Sequence, residues 1–464
     1  MTLKTNRRTF INQSSWAALG AALGGFSQWG KSMPTSAPRQ QAEVIVIGAG
    51  AAGLGAARTL QAEDYDVIVL EARDRIGGRV WTSRVWPDTP LDLGASWIHG
   101  VRGNPLAELA KEFKVKTVPT DYDNIVTYQP TGQALTEPER NKVDRRLANI
   151  LKETAAIAEE VEPDNSLGWA IAQARAKLNL SAREERELDY AINSTIEHEF
   201  AADVADLSLY YWDEGETFGG GDVIFPGGYG QILQGLAQDL DIRLGHTVSK
   251  IEYSDAGVRV TTAQGLFEAE YAVITLPLGV LQQGRVTFSP VLPGDKLAAI
   301  GRLRMGLLNK LYLRFPDVFW AEENHLLGYI SQQRGQWAEW LNLYPLLDQP
   351  ILLAFNAGSY GRRLEKLSDA AQVEAALEVL KTIYGPKIPQ PEAWLISRWV
   401  NDPLAGGSYS YLPPGATPAD RETLAQAVAE RLFFAGEATS VAYPATVHGA
   451  YLSGLAVAEE IMAL

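Results

Sequence analysis

Gly48, Gly50 and Gly53 stand in GxGxxG spacing, and an acid, Glu71, closes the next apolar run. Glycines so spaced permit a tight turn and let backbone N–H groups approach a pyrophosphate. A helix N-terminus behind them favours that anion, and Glu71 can accept hydrogen bonds from ribose hydroxyls. The chemistry is dinucleotide binding, and these four residues leave FAD and NAD both open. The continuation narrows the choice. Glu71 opens the run Glu71-Ala72-Arg73-Asp74-Arg75-Ile76-Gly77-Gly78-Arg79. Gly77 and Gly78 allow a second close backbone approach, and Arg79 supplies a cation for phosphate. The bland alternative is a surface turn with a solvated arginine. A second phosphate grip directly after the first favours FAD.

These residues need particular elements under them. Val44, Ile45, Val46 and Ile47 form a wholly apolar β-branched run, as a strand buried on both faces requires. A helical stretch through Leu60 and a second apolar strand, Val67 to Leu70, complete a βαβ unit. Further on, Lys310 sits just before an alternating strand that places Leu311, Leu313 and Phe315 on one face. On residue type alone it reads as a strand-edge surface lysine. Residues 181 to 196 read as a helix, Leu307 to Phe315 as an antiparallel strand, and Thr247 to Ile251 as strand-like. The last helix is predicted to start near Ala445 and to turn Val447, Tyr451, Leu455, Ala458 and Met462 inward.

Composition bounds the rest. The 464 residues suggest about three domain-sized units or two large ones. A hydrophobic share of 46% and a charged share of 21% are ordinary for globular proteins and exclude disorder and collagen-like repetition. The formal charge of −15 argues against a nucleic-acid partner. The absence of cysteine excludes disulfides, cysteine-ligated metal, a thiol nucleophile and a cysteinyl cofactor link. The five histidines show no i, i+3 or i, i+4 pair, so no metal site is expected. Residues 1 to 42 carry Lys4, Arg7, Arg8, Lys31 and Arg39 and no acid. Arg7 and Arg8 precede a weakly apolar stretch, Trp16 to Phe26, too short to span a bilayer comfortably. This resembles a twin-arginine signal, with cleavage near Ala37, and implies the twin-arginine export machinery as a partner. The expected location is the periplasm or an equivalent compartment; a basic tail or membrane anchor is the alternative. No stable membrane span is expected.

Further segments make the reading more specific. They are Leu93-Gly94-Ala95-Ser96-Trp97-Ile98-His99-Gly100 with Gly103-Asn104-Pro105, and Met305-Gly306 through Asn309-Lys310. Toward the C-terminus stand Trp399, Gly407-Ser408-Tyr409-Ser410-Tyr411, Phe434-Ala435-Gly436-Glu437-Ala438-Thr439 and Ala445-Thr446-Val447-His448-Gly449-Ala450. With these, residues 43 to 464 resemble the flavin-containing amine oxidases, in detail the polyamine and spermine oxidase branch. The resemblance implies an α/β fold, α+β overall, in which a Rossmann-like FAD domain is interleaved with a substrate domain of mixed sheet and helices. The FAD domain takes about 43–120, 222–290 and 394–464, and the substrate domain 121–221 and 291–393.

The same resemblance assigns residues to roles. Gly48, Gly50, Gly53, Glu71, Ala72, Arg73, Gly78 and Arg79 would bind FAD, with Gly94, Ala95, Ser96 and Trp97. Val248 matches a backbone contact to adenine, Trp399 packs beside the flavin, and Gly436 and Glu437 reach its ribityl and phosphate region. Thr446 and Val447 bring a helix N-terminus to the flavin's pyrimidine edge. Ser408 stands where monoamine oxidases carry the cysteine that anchors flavin, so FAD is expected to be non-covalent. Lys310 would hydrogen-bond a water next to the flavin, and Tyr409 would flank the substrate nitrogen. Thr446 falls where a second tyrosine would complete the monoamine oxidase cage. His99 and Glu199 are candidate contacts for a polycation; each could also be structural.

The function so implied is oxidation of spermine- or spermidine-type amines with dioxygen, giving an aldehyde, a shorter amine and hydrogen peroxide. One alternative is an L-amino acid oxidase or another amine oxidase. The amino acid oxidases hold a carboxylate with an arginine, whereas residues 94 to 100 contain none and the nearest is Arg102. Another alternative is a non-catalytic flavoprotein or electron-transfer partner. A histone demethylase reading calls for an added N-terminal module and a long helical hairpin, for which this chain has no room.

Overall fold

The computed structural model describes residues 40–464; the export signal predicted in residues 1 to 42 lies almost wholly outside them. A five-stranded parallel sheet runs in the order Leu432–Phe434, Tyr271–Ile274, Val44–Ile47, Val67–Leu70 and Asp241–Arg243. The β-branched run predicted as a doubly buried strand is its centre. Val44 and Val46 enter one hydrophobic cluster with Leu54, Leu60 and Ile461, while Ile45 and Ile47 enter another with Ile251, Val260 and Phe434. Alternate residues therefore fill two different cores, which is why the run has no polar position.

On one face the helix Ala51–Ala62 packs against the closing helix Val447–Met462. A Cβ on Gly454 would lie 2.1 Å from the Ala52 carbonyl oxygen, and one on Gly55 would lie 2.9 Å from the Tyr451 ring. This close approach adds to the predicted inward stripe, of which Ala458 is buried and Val447, Tyr451 and Met462 pack against the same core. His448, Gly449, Gly454, Val457, Ala458 and Ile461 are the buried positions, while Val447, Tyr451, Leu455 and Met462 are only half-buried. The seam is made by glycines, which a hydrophobic periodicity does not count. The helix also begins at Val447 rather than Ala445, because Thr446 caps it and Ala445 adopts a left-handed φ of 61°. The opposite face carries a four-stranded sheet, Gly265–Ala269, Gly257–Thr262, Val248–Ser254 and Thr287–Ser289.

A second large sheet has six strands in the order Ala393–Ile396, Leu308–Arg314, Ile351–Ala357, Glu339–Asn342, Leu326–Tyr329 and Ile125–Tyr128. Its pairs are antiparallel except Leu326–Tyr329 with Ile125–Tyr128. Lys310 pairs with Phe355 on one side, and the strand Ala393–Ile396 lies on the other. The lysine is thus 5% exposed in an interior strand, not at the sheet edge that residue type alone suggested. The helices Glu137–Glu160, Leu167–Ala176 and Ala182–Ile192 pack together around Leu147, Ile171 and Leu188. The last of them continues as a π-helical turn, Asn193–Glu197. Among the described residues no helix is long and apolar enough to cross a membrane, and no group of side chains could hold a metal ion.

Candidate active site

The nucleotide cleft opens at the end of the central strand. Gly48 has φ +110°, and a Cβ on Gly53 would lie 1.9 Å from the Gly48 carbonyl oxygen. Gly50 has open space where its Cβ would be, and it stands at the N-terminus of Ala51–Ala62, which no side chain caps. Gly78, at φ +55°, brings its own Cβ direction to 3.9 Å from the Gly50 Cα, and Gly77 N donates to the Ala49 carbonyl at 2.8 Å. The two glycine turns therefore converge on one uncapped helix end, a cradle that fits the diphosphate of a dinucleotide. The buried Glu71 carboxylate accepts from Ala49 N and Arg73 N, both at 2.8 Å, and so holds the loop in shape. Ala72 follows it. His246 N donates to the Glu71 carbonyl and Gly245 N to that of Arg73, each at 2.8 Å, and the strand that begins at Val248 follows two residues on. Arg73 itself pairs with Asp402 at 2.9 Å.

Arg79 extends across the cleft to Glu437 at 2.8 Å and to the Ser408 carbonyl at 2.9 Å. The Glu437 carboxylate also accepts from the Ser410 hydroxyl at 2.6 Å and from Ser410 N and Ala445 N at 3.2 Å. Burial opposes its ionisation, but Arg79, the Ser410 hydroxyl and Arg421 outweigh burial and hold the carboxyl below its usual range. Gly436, at φ +144°, leaves open space beside the same turn.

The second part of the site surrounds Lys310. Its Nζ donates to the Asp92 carbonyl at 2.9 Å, to the Gly94 carbonyl at 2.5 Å and to the Ser96 hydroxyl, and lies 5.5 Å from the Trp97 ring centre. Burial pulls the lysine pKa down while the Asp92 charge pulls it back up, and the net direction is down. Asp92, which the motif reading passed over, is buried on Thr82 and Tyr229, and burial raises its carboxyl. Trp399 donates from Nε1 to the Leu93 carbonyl at 3.1 Å, and its ring meets Trp81 edge-on at 6.2 Å. A Cβ on Gly94 would lie 1.8 Å from the Arg79 carbonyl oxygen, and Ala95 N donates to that oxygen, so the 94–97 segment is laid directly on the phosphate loop.

His99 stacks on Trp97 with ring centres 6.3 Å apart, and its Nδ1 lies 2.8 Å from Asp222, whose other oxygen accepts from Gly100 N. Asp222 thus fixes the ring and directs its proton to Nδ1. It carries no motif signal, because the small sheet Trp97–Ile98, Asp222–Ile224 and Val118–Thr120 brings it from far along the chain. Tyr409 donates to the His198 carbonyl at 2.8 Å, and Ser408 is bonded to Leu308 N at 2.8 Å, so their loop is tied to the Lys310 strand.

Two further candidates have these surroundings. Thr446 is engaged as a helix cap, accepting from Gly449 N and donating to the Tyr443 carbonyl, both at 2.9 Å. The nearby aromatic is Tyr443, stacked on Phe218 at 4.7 Å, which counting from the motif overlooked. Glu199 is exposed on the short turn His198–Phe200. The buried acid of that run is Glu197, which takes hydrogen bonds from Asn193, Val204 N and Arg334.

The family described as flavin containing amine oxidoreductase matches residues 51–462. The chain belongs to that family and is an FAD-dependent amine oxidase. It is similar to Polyamine oxidase 2 of Arabidopsis thaliana, 39% identical over 93% of this chain and 89% of that protein. It is also similar to Polyamine oxidase 4 of Oryza sativa subsp. japonica, 38% identical over 90% of this chain and 88% of that protein. Lysine-specific histone demethylase 1 homolog 2 of Arabidopsis thaliana is 36% identical over 91% of this chain, which spans 58% of that protein. Among solved structures, wild-type putrescine oxidase bound to putrescine matches with a TM-score of 0.75 and 20% identity, over 92% of this chain and all of that one. That likeness speaks to the fold.

Proposed function

We propose that this protein oxidises polyamines of the spermine and spermidine type with dioxygen, releasing an aldehyde, a shorter amine and hydrogen peroxide. The observation that carries this reading is the similarity to polyamine oxidases along nearly the whole of both chains. The site is compatible with it: His99, backed by Asp222, stacks on Trp97 beside Lys310, Ser408 ties the Tyr409 loop to the Lys310 strand, and residues 94 to 100 offer no arginine to clamp a carboxylate.

Bound FAD would supply the hydride-accepting chemistry for oxidation at the carbon beside the amine nitrogen. The glycine turns, the helix end at Ala51, Arg79 and the closing helix at Thr446 and Val447 are its assigned holders. No cysteine is available to link it covalently. Lys310 is assigned to hold a proton at Nζ beside the reacting centre, where burial works against its charge. Tyr409 and Trp97 present aromatic surface to a cationic amine. His99 and Glu199 are assigned to the other nitrogens of the substrate. The parallel-sheet part, 43–120, 222–290 and 394–464, carries the cofactor, and 121–221 with 291–393 shapes the substrate side. Residues 1–42 are assigned as a twin-arginine export address; replacing Arg7 and Arg8 by lysine should leave the protein in the cytoplasmic fraction of its host.

A peroxide assay across spermine, spermidine, putrescine, L-arginine and a methyl-lysine peptide tests the substrate. Turnover of the first two is expected. Turnover of L-arginine or the peptide alone overturns the assignment, and slow reaction of photoreduced enzyme with air marks an electron-transfer protein instead.

A further inference from the structure

A charged residue outside every recognised motif lies behind the flavin cleft. Arg421, on the helix Pro418–Ala425, is 3% exposed. Its Nη1 donates to the Ser410 hydroxyl at 2.8 Å and to the Ala438 carbonyl at 3.2 Å. Ser410 passes its own proton to Glu437 at 2.6 Å, and Glu437 holds Arg79 at 2.8 Å. The order is therefore Arg421, Ser410, Glu437, Arg79, with every link buried except the last guanidinium, whose side chain is 23% exposed and reaches the cleft.

Arg421 meets its two nearest carboxylates indirectly, Glu437 through Ser410 and Glu214 across space, and its Nε has no hydrogen-bond partner. Burial works against the charge of this guanidinium. A fold that needed only to fill this space could use an apolar side chain. The hydroxyl of Ser410 accepts from Arg421 and must then point its proton at Glu437, so the cation fixes the direction of the whole chain.

We propose that Arg421 is a positioning residue for flavin binding: acting through Ser410 and Glu437, it holds the Arg79 guanidinium in the orientation that receives the FAD diphosphate. This rests on Arg79 being a contact to FAD, and the experiment separates the two claims. FAD affinity is measured by fluorescence titration of the deflavinated protein with FAD, for wild type, Arg79→Ala, Arg421→Met, Arg421→Lys, Ser410→Ala and the Arg79→Ala/Arg421→Met double variant. Loss of a charge-assisted hydrogen bond predicts that Arg79→Ala and Arg421→Met each weaken FAD binding by about ten-fold or more. Ser410→Ala weakens it in the same direction, Arg421→Lys restores most of the loss, and the double variant binds no more weakly than Arg79→Ala. If Arg79→Ala leaves affinity unchanged, Arg79 is not a contact and the proposal falls with it. If Arg79→Ala weakens binding while Arg421→Met does not, or if the two losses multiply in the double variant, the relay is wrong. Should Arg421→Met fail to fold, Ser410→Ala decides, and unchanged FAD affinity in that variant overturns the proposal.

Discussion

Lys310 shows how one side chain acquires a task from its surroundings. An exposed lysine is a hydrated cation; this one is enclosed by two carbonyls, a hydroxyl and an indole. Lys310→Met keeps much of the volume and removes the amine. It is expected to slow amine oxidation or flavin reoxidation by about a hundred-fold while FAD stays bound; stopped-flow rates near wild type for both half-reactions would refute the role. Glu437 gives a prediction about pH. Its carboxyl sits lower in the folded protein than in the unfolded chain, so the unfolded state binds more protons across that interval. The stabilisation is complete above the ordinary glutamate range and is lost as pH falls through the depressed value. Glu437→Gln should cost about 3 kcal/mol at neutral pH, since two guanidinium groups lose their counter-ion. Thermal melts from pH 7 to 3 should show a flatter acid limb in the variant.

At the scale of elements, the cofactor cleft depends on how closely two helices meet. The seam between Ala51–Ala62 and Val447–Met462 is backbone against backbone at Gly454. Gly454→Val forces those helices apart and should destabilise the protein by about 2–3 kcal/mol. It should also weaken FAD binding, because both helices point their N-termini toward the cleft. A melting temperature and an FAD affinity equal to wild type would contradict this account. The closing helix also shows what periodicity leaves out. The apolar stripe packs on the core at Val447, Tyr451, Ala458 and Met462, but the closest contact is made by Gly454, which a hydrophobic pattern does not count. The Lys310 strand was legible as a strand from its alternation, but its place between two neighbours was not, because pairing is decided by residues far away in sequence.

For the whole molecule, charge and layering matter most. The formal charge of −15 should attract a polycationic substrate from solution. The second-order rate for spermidine is therefore expected to fall several-fold from low salt to about 0.3 M, where the Debye length is a few ångströms. A salt-independent value of kcat/KM would remove the steering argument. The two large sheets are each assembled from separated stretches of chain, with the 94–99 segment and the Lys310 strand meeting between them.

The amino-acid sequence alone determined the βαβ start, the glycine turns and the absence of a cysteinyl link, because those depend on residues close together in the chain or on composition. Its motifs also identified the family. Only the tertiary structure decided that Lys310 is buried, that Asp222 backs His99 and that Arg421 stands behind Glu437. The partners of Lys310 and His99 lie more than a hundred residues away, and those of Arg421 meet only where its helix folds against the Ser410 and Glu437 turns, so local patterning carries no record of them.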